Sequence, residues 1–107
     1  MPASRGFALT FAPEVIQDLR AFARKDHGLI RRELRARLRN EPDKETKNRK
    51  RLDVPAPLGA QWELRFGRRN RTRAFYEVDA DARIVMILAI GVKEGNTLRL
   101  GREEFQT

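Results

Sequence analysis

The sequence predicts an α+β fold: an N-terminal strand, an αα-hairpin, then an antiparallel three-stranded meander packed on the helices. Three observations carry the prediction. Before Pro42 the apolar residues recur at three- and four-residue spacing, as helices require; after Gln61 they alternate with period two, as strands require; and Ile84 to Ile90 is apolar on both parities, as a central strand would be. The chain of 107 residues is 40 % apolar, enough for one modest core, so residues 1–107 are read as a single domain.

Phe7, Leu9 and Phe11 alternate with smaller or polar residues, the pattern of a short half-buried strand. Pro13 followed by Glu14 is a favourable first helical turn. Val15, Ile16, Leu19, Phe22 and Ala23 then form an apolar stripe, which predicts a helix ending near Asp26, His27 and Gly28. Ile30, Leu34 and Leu38 repeat every fourth residue and predict a second helix from just after Gly28 until Pro42 forbids continuation. Arg31, Arg35 and Arg39 run beside that stripe, with Arg32 and Arg37 nearby. Asp43 to Asp53 has almost no apolar residues and no period, so it reads as a loop or a ragged helix end. Pro55 and Pro57 fix an extended approach to the next strand.

In the hairpin, Trp62, Leu64 and Phe66 point one way and Glu63 and Arg65 the other. Gly67, Arg68, Arg69 and Asn70 supply the turn. The returning strand places Ala74, Tyr76 and Val78 on the helix-facing side and Arg73, Phe75 and Glu77 on the outer one. Glu63, Arg65, Arg73 and Phe75 therefore share the outward face. Asp79 to Ala82 turn the chain into IVMILAI, a strand apolar on both faces. The helices cover one side of the sheet; the other is left to a partner protein or to the C-terminal segment from Asn96 to Phe105.

Composition narrows the chemistry. There is no cysteine and one histidine, which removes disulfides and thiolate metal sites and argues against a histidine metal centre, so no metal and no cofactor is expected. Lys and Arg number 23 against 15 Asp and Glu, a formal charge of +8, which attracts nucleic acid or an acidic protein. No secretory or membrane-spanning pattern is apparent, so a cytoplasmic protein without a membrane partner is expected.

In order, WELRFG (62–67), RAFYEVD (73–79) and ILAIGVKEGN (87–96), preceded by KNRKRL (47–52) and the helical hairpin, resemble the RelE/ParE family of toxins from type II toxin–antitoxin modules. The resemblance implies a RelE/ParE-like fold over nearly the whole chain and a cognate antitoxin as partner. Of the family's two activities, RelE-like members cut messenger RNA on the ribosome without a metal, and ParE-like members inhibit DNA gyrase. The first is the expectation here; gyrase inhibition, or nucleic-acid binding without cleavage, is the alternative. By position, Arg65 and Arg73 occupy the family's arginines on the two hairpin strands, and Lys93 matches a basic residue after the last strand. The chain departs from the pattern at Gln61 and Glu63, where RelE-like enzymes carry lysines, and at Arg99, where they carry a tyrosine.

Phosphodiester cleavage needs a base for the 2′-hydroxyl, an acid for the leaving 5′-oxygen and donors for the crowded phosphate. The planar, permanently charged guanidinium suits only the last role, which assigns Arg65 and Arg73 to phosphate binding. Glu63 reads either as their ion-pair partner or as the base. Lys93 reads either as a surface lysine or as an aid to the leaving group. Arg49, Lys50, Arg51, Arg69 and Arg71 are candidate RNA-backbone contacts, and Phe75 either stacks on a base or lies under the antitoxin. Tyr76 falls on the core parity, and His27 lies in an inter-helix turn distant in sequence from the hairpin.

Overall fold

The computed structural model describes residues 6–53, 59–100 and the backbone of 103–106. Pro55 and Pro57, expected to lead into the sheet, lie outside the described residues. Strand β1 (Ala8–Phe11) runs directly into helix α1 (Pro13–Arg20); a 3-10 turn over Arg24–Asp26 precedes helix α2 (His27–Leu38). Then follow β2 (Arg49–Arg51), β3 (Trp62–Phe66), β4 (Thr72–Asp79), β5 (Ile84–Glu94), β6 (Thr97–Leu100) and β7 (Glu103–Gln106). They form one seven-stranded sheet in the order β2-β3-β4-β5-β6-β7, with β1 also beside β5.

The expected meander is β3, β4 and β5, paired antiparallel from Trp62↔Tyr76 through Asp79↔Ile84. A β-bulge sets Phe75 opposite Ala89 but Tyr76 opposite Ile87, so Leu88 is the extra residue. The far edge of β5 is shared: β1 pairs with Ile84 to Ile87 in parallel, and β6 pairs with Gly91 to Glu94 antiparallel. Between them α1 takes over the ladder, where the Asp18 carboxylate accepts the buried Ile90 N–H at 3.0 Å. An edge amide that would otherwise be buried without a partner is thereby satisfied.

The main core lies between sheet and helices. Val15, Leu19, Ile30, Leu34 and Leu38 pack on Trp62, Leu64, Phe66, Ala74, Tyr76, Val85, Ile87 and Ile90. Trp62 and Tyr76 are cross-strand partners with stacked rings, 6.4 Å between centroids and 13° apart. A second, smaller core sits on the opposite face, where Phe75 and Ala89 are covered by Ala60, Leu98 and Leu100. Of the two candidates for that face, the C-terminal segment is the one in place, at least as far as Leu100. Gly91 makes this possible: a Cβ there would collide with the Arg99 carbonyl oxygen and with Leu100 Cδ2, so its absence lets β6 close against β5.

Three expectations are corrected. The first helix stops at Arg20, because Ala23 is extended (φ −57°, ψ 137°) and the chain turns so that Phe22 packs against the core; Ile16, placed in the apolar stripe, is 58 % exposed. The second helix starts at His27 and includes Gly28. Arg49–Arg51 is neither loop nor helix end but an edge strand on β3. Among the described residues no helix is long and apolar enough to cross a membrane.

Candidate functional site

Strand parity puts Arg65 directly opposite Arg73, two register positions along, on the same face, from Glu63 opposite Phe75. Like charges facing each other across two strands are destabilising unless something offsets them. Glu63 does so. Its Oε1 accepts from Arg65 Nε at 3.3 Å and its Oε2 from Arg73 Nη1 at 3.2 Å, so both carboxylate oxygens are occupied by guanidinium donors. Arg73 Nε also donates to the Asn70 carbonyl at 3.1 Å, which fixes its planar fork. The side chains of Glu63 and Arg73 are 12 % and 11 % exposed, whereas that of Arg65 is 39 % exposed. Arg73 and Glu63 thus form a largely desolvated pair beneath Arg65, the guanidinium that faces solvent.

The same face continues on either side. Lys50 lies on β2 opposite Glu63, and Lys93 lies on β5 two residues beyond Gly91, the partner of Arg73. The Lys93 N–H donates to the Arg71 carbonyl at 2.9 Å, tying the end of β5 to the root of the hairpin turn. That turn is built from Gly67, Arg69 and Asn70 at positive φ (77°, 55° and 54°) and leaves Arg68, Arg69 and Arg71 exposed. The fold therefore brings Glu63, Arg65, Arg73 and Lys93 to one face, with Lys50, Arg69 and Arg71 at its margin. The far end of this face is acidic: Glu77 and Asp79 line an open groove of about 520 Å³ with Gln61, Val78, Ile84 and Met86. A polyanion on this face is drawn to the hairpin end.

Two predicted contacts are used otherwise. Arg49 is committed to the fold: its Nη1 donates to the carbonyls of Glu41 (2.6 Å) and Lys44 (3.1 Å), and its Nη2 to that of Arg37 (2.7 Å) in the last turn of α2. It closes the helix C-terminus and the loop beyond, which removes it from the RNA contacts. Phe75 is 2 % exposed beneath Leu98 and Leu100, so it is not a stacking platform. Arg51 is exposed and lies over the Trp62 ring, 5.5 Å from its centroid.

The positions that depart from the family pattern also have defined surroundings. Gln61 Oε1 accepts from the Val78 N–H at 3.2 Å, at the acidic end of the face. Arg99 is opposite Val92, on the other parity from Lys93, and pairs with Glu94 at 3.5 Å. Tyr76 donates its hydroxyl to the Pro42 carbonyl at 2.6 Å, and burial pushes its phenol pKa well above the usual value. His27 belongs to the helical layer, its Nε2 3.1 Å from the Phe22 carbonyl. Sequence reasoning missed the structural duties of Arg49 and Asp18. It offered the C-terminal segment as one cover for this face but still placed Phe75 outward as a contact, although the Leu98-x-Leu100 alternation was a signal that Phe75 would be covered.

No family model and no curated protein sequence matches the chain. Among solved structures, a chain of the crystal structure of the toxin–antitoxin complex RelBE2 from Mycobacterium tuberculosis aligns over 82 % of this chain and 99 % of its own length, with a TM-score of 0.65. The two chains share a fold. At 19 % identity the likeness is one of architecture, an α+β arrangement of helices on one side of a mainly antiparallel sheet. The RelE-like fold expected from the sequence is therefore present, with β2, β6 and β7 extending the sheet beyond the expected N-terminal strand and three-stranded meander.

Proposed function

We propose that this protein is the toxin of a type II toxin–antitoxin module and acts as a metal-independent messenger-RNA endonuclease on the ribosome, restrained by a cognate antitoxin. The observation that supports it is the Arg65–Glu63–Arg73 constellation, two guanidiniums held by one carboxylate on the sheet face away from the helices. The fold shared with a chain of a toxin–antitoxin complex supports the same reading.

In this proposal Arg65 and Arg73 bind the non-bridging oxygens of the scissile phosphate and stabilise the charge that builds as the ribose 2′-oxygen bonds to phosphorus and the P–O5′ bond breaks. Lys93 delivers a proton toward the departing 5′-oxygen. Glu63 is first a positioning residue. To take the 2′-hydroxyl proton it must release one guanidinium, and an incoming phosphate competing for Arg65 is what frees its Oε1. Lys50, Arg69 and Arg71 guide the flanking backbone, whereas Arg51 lies on the helix side of the sheet with Trp62.

Induction in bacteria without the antitoxin tests this. Translation should stop and messenger RNA should acquire codon-phased 3′ ends, both lost in an Arg65→Gln/Arg73→Gln variant that accumulates to the same level. Induction of the DNA-damage response with altered plasmid supercoiling, and intact messenger RNA, would overturn the proposal in favour of gyrase inhibition.

A further inference from the structure

Helix α2 carries a second set of cations, on the other side of the sheet from Arg65 and Arg73. Burial of Ile30, Leu34 and Leu38 fixes the rotation of the helix. At about 100° per residue, Arg31 and Arg35, continued by Arg39 at the C-cap just past Leu38, then follow one another along one edge of its solvent side, with Arg32 next to them. All four are exposed. Successive members of the row are about 6 Å apart along the axis, on the scale of the step between neighbouring phosphates of one nucleic-acid strand.

The row is not neutralised by its own fold. On the opposite flank Arg37 pairs with Glu33 at 3.0 Å, but Arg31, Arg32, Arg35 and Arg39 have no ion-pair partner among the described residues. Like charges one helical turn apart repel and destabilise the helix that carries them. An external polyanion relieves that repulsion. The larger apolar residues of α2, Leu29 apart, are spent on the core, and the exposed Ala36 is small, which leaves little to insert into a lipid surface. The helix has no aromatic residue for unpaired bases to stack on, so the feature it reads is a regular backbone rather than a single strand.

We propose that the Arg31–Arg32–Arg35–Arg39 stripe docks on the sugar–phosphate backbone of double-helical RNA. The docking surface rests on the helix alone and holds whether or not the sheet face cleaves RNA; the choice of RNA as the duplex rests on the proposed function. The protein then engages two RNA elements on opposite sides: a duplex through α2 and a single strand through the sheet.

Fluorescence anisotropy with a short blunt RNA duplex and a single-stranded RNA of equal length, over a salt series, tests it. The full chain carrying Arg31→Gln/Arg32→Gln/Arg35→Gln should bind duplex at least ~10-fold more weakly, with a log K against log salt slope shallower by about 2–3. Its affinity for single strand should stay within about 2-fold of wild type, because the sheet contacts are untouched. A variant of equal charge loss elsewhere, Lys44→Gln/Lys47→Gln/Arg99→Gln, should lose less than about 3-fold on duplex. Lysine at the three helix positions should retain most of the affinity, since a phosphate contact tolerates a point charge. If the stripe variant weakens no more than the charge control, or duplex and single strand weaken together, the proposal is wrong. It is equally wrong if the wild type ignores duplex while binding phosphatidylserine vesicles.

Discussion

Replacing Glu63 by glutamine keeps the shape of the side chain and removes the charge that holds Arg65 and Arg73 together. The two arms of the ion pair differ in environment, and the cost follows from that difference. Against Arg73 both partners are close to 90 % covered, so losing one charge-assisted hydrogen bond costs about 1.5–3 kcal/mol. Against Arg65, whose side chain is 39 % exposed, solvent screening limits the loss to about 0–1 kcal/mol. The sum, about 1.5–4 kcal/mol, corresponds to a fall in Tm of roughly 7–18 °C for a domain of this size. Urea unfolding of Glu63→Gln, Arg65→Gln, Arg73→Gln and the two double variants measures the coupling directly. Glu63 should couple to Arg73 by about 1.5–3 kcal/mol and to Arg65 by less than about 1 kcal/mol. Equal couplings, or a Glu63→Gln protein as stable as wild type, would refute the view of Arg73–Glu63 as a largely desolvated pair.

Arg49→Lys should destabilise by about 1–3 kcal/mol, because a point-charge ammonium cannot serve the three carbonyls that the guanidinium fork spans; unchanged urea midpoints would remove its clip role. Gly91→Ala should cost about 1–3 kcal/mol by forcing β6 off β5, and amide exchange should show Leu98 to Leu100 opening first. Tyr76 predicts an alkaline sign. Its folded pKa is raised, so the stability it contributes is complete below the unfolded value of about 10 and is lost as pH rises above it. Tyr76→Phe should lose about 0.5–1.5 kcal/mol near neutrality through the missing hydrogen bond to Pro42, and should lose less than wild type between neutral and alkaline pH; parallel pH profiles would contradict this.

The hairpin was the most legible part of the chain because parity is local: Trp62, Leu64, Phe66 and Tyr76 lie inward, and Glu63, Arg65 and Arg73 outward, as the alternation requires. Lys93 joined the same face because β5 keeps its register with β4 beyond the bulge. The misreadings share a cause, which is that the deciding contact is distant in sequence. Arg49–Arg51 has no apolar alternation to mark it as a strand; what makes it one is the ladder to β3 and the grip of Arg49 on the end of α2. Phe75 has the parity of an exposed residue, yet Leu98 and Leu100 return across Gly91 to bury it. Asp18 sits on the first helix like any surface carboxylate until the gap between β1 and β6 presents it with the Ile90 amide.

The most direct test of the claim that this face grips phosphodiester is the salt dependence of single-stranded RNA binding by wild type and by Arg65→Gln/Arg73→Gln. If both guanidiniums contact phosphates, the double variant should bind at least ~10-fold more weakly and its log K against log salt slope should be shallower by about 1.4. An unchanged slope and affinity in a folded double variant would contradict the assignment of Arg65 and Arg73.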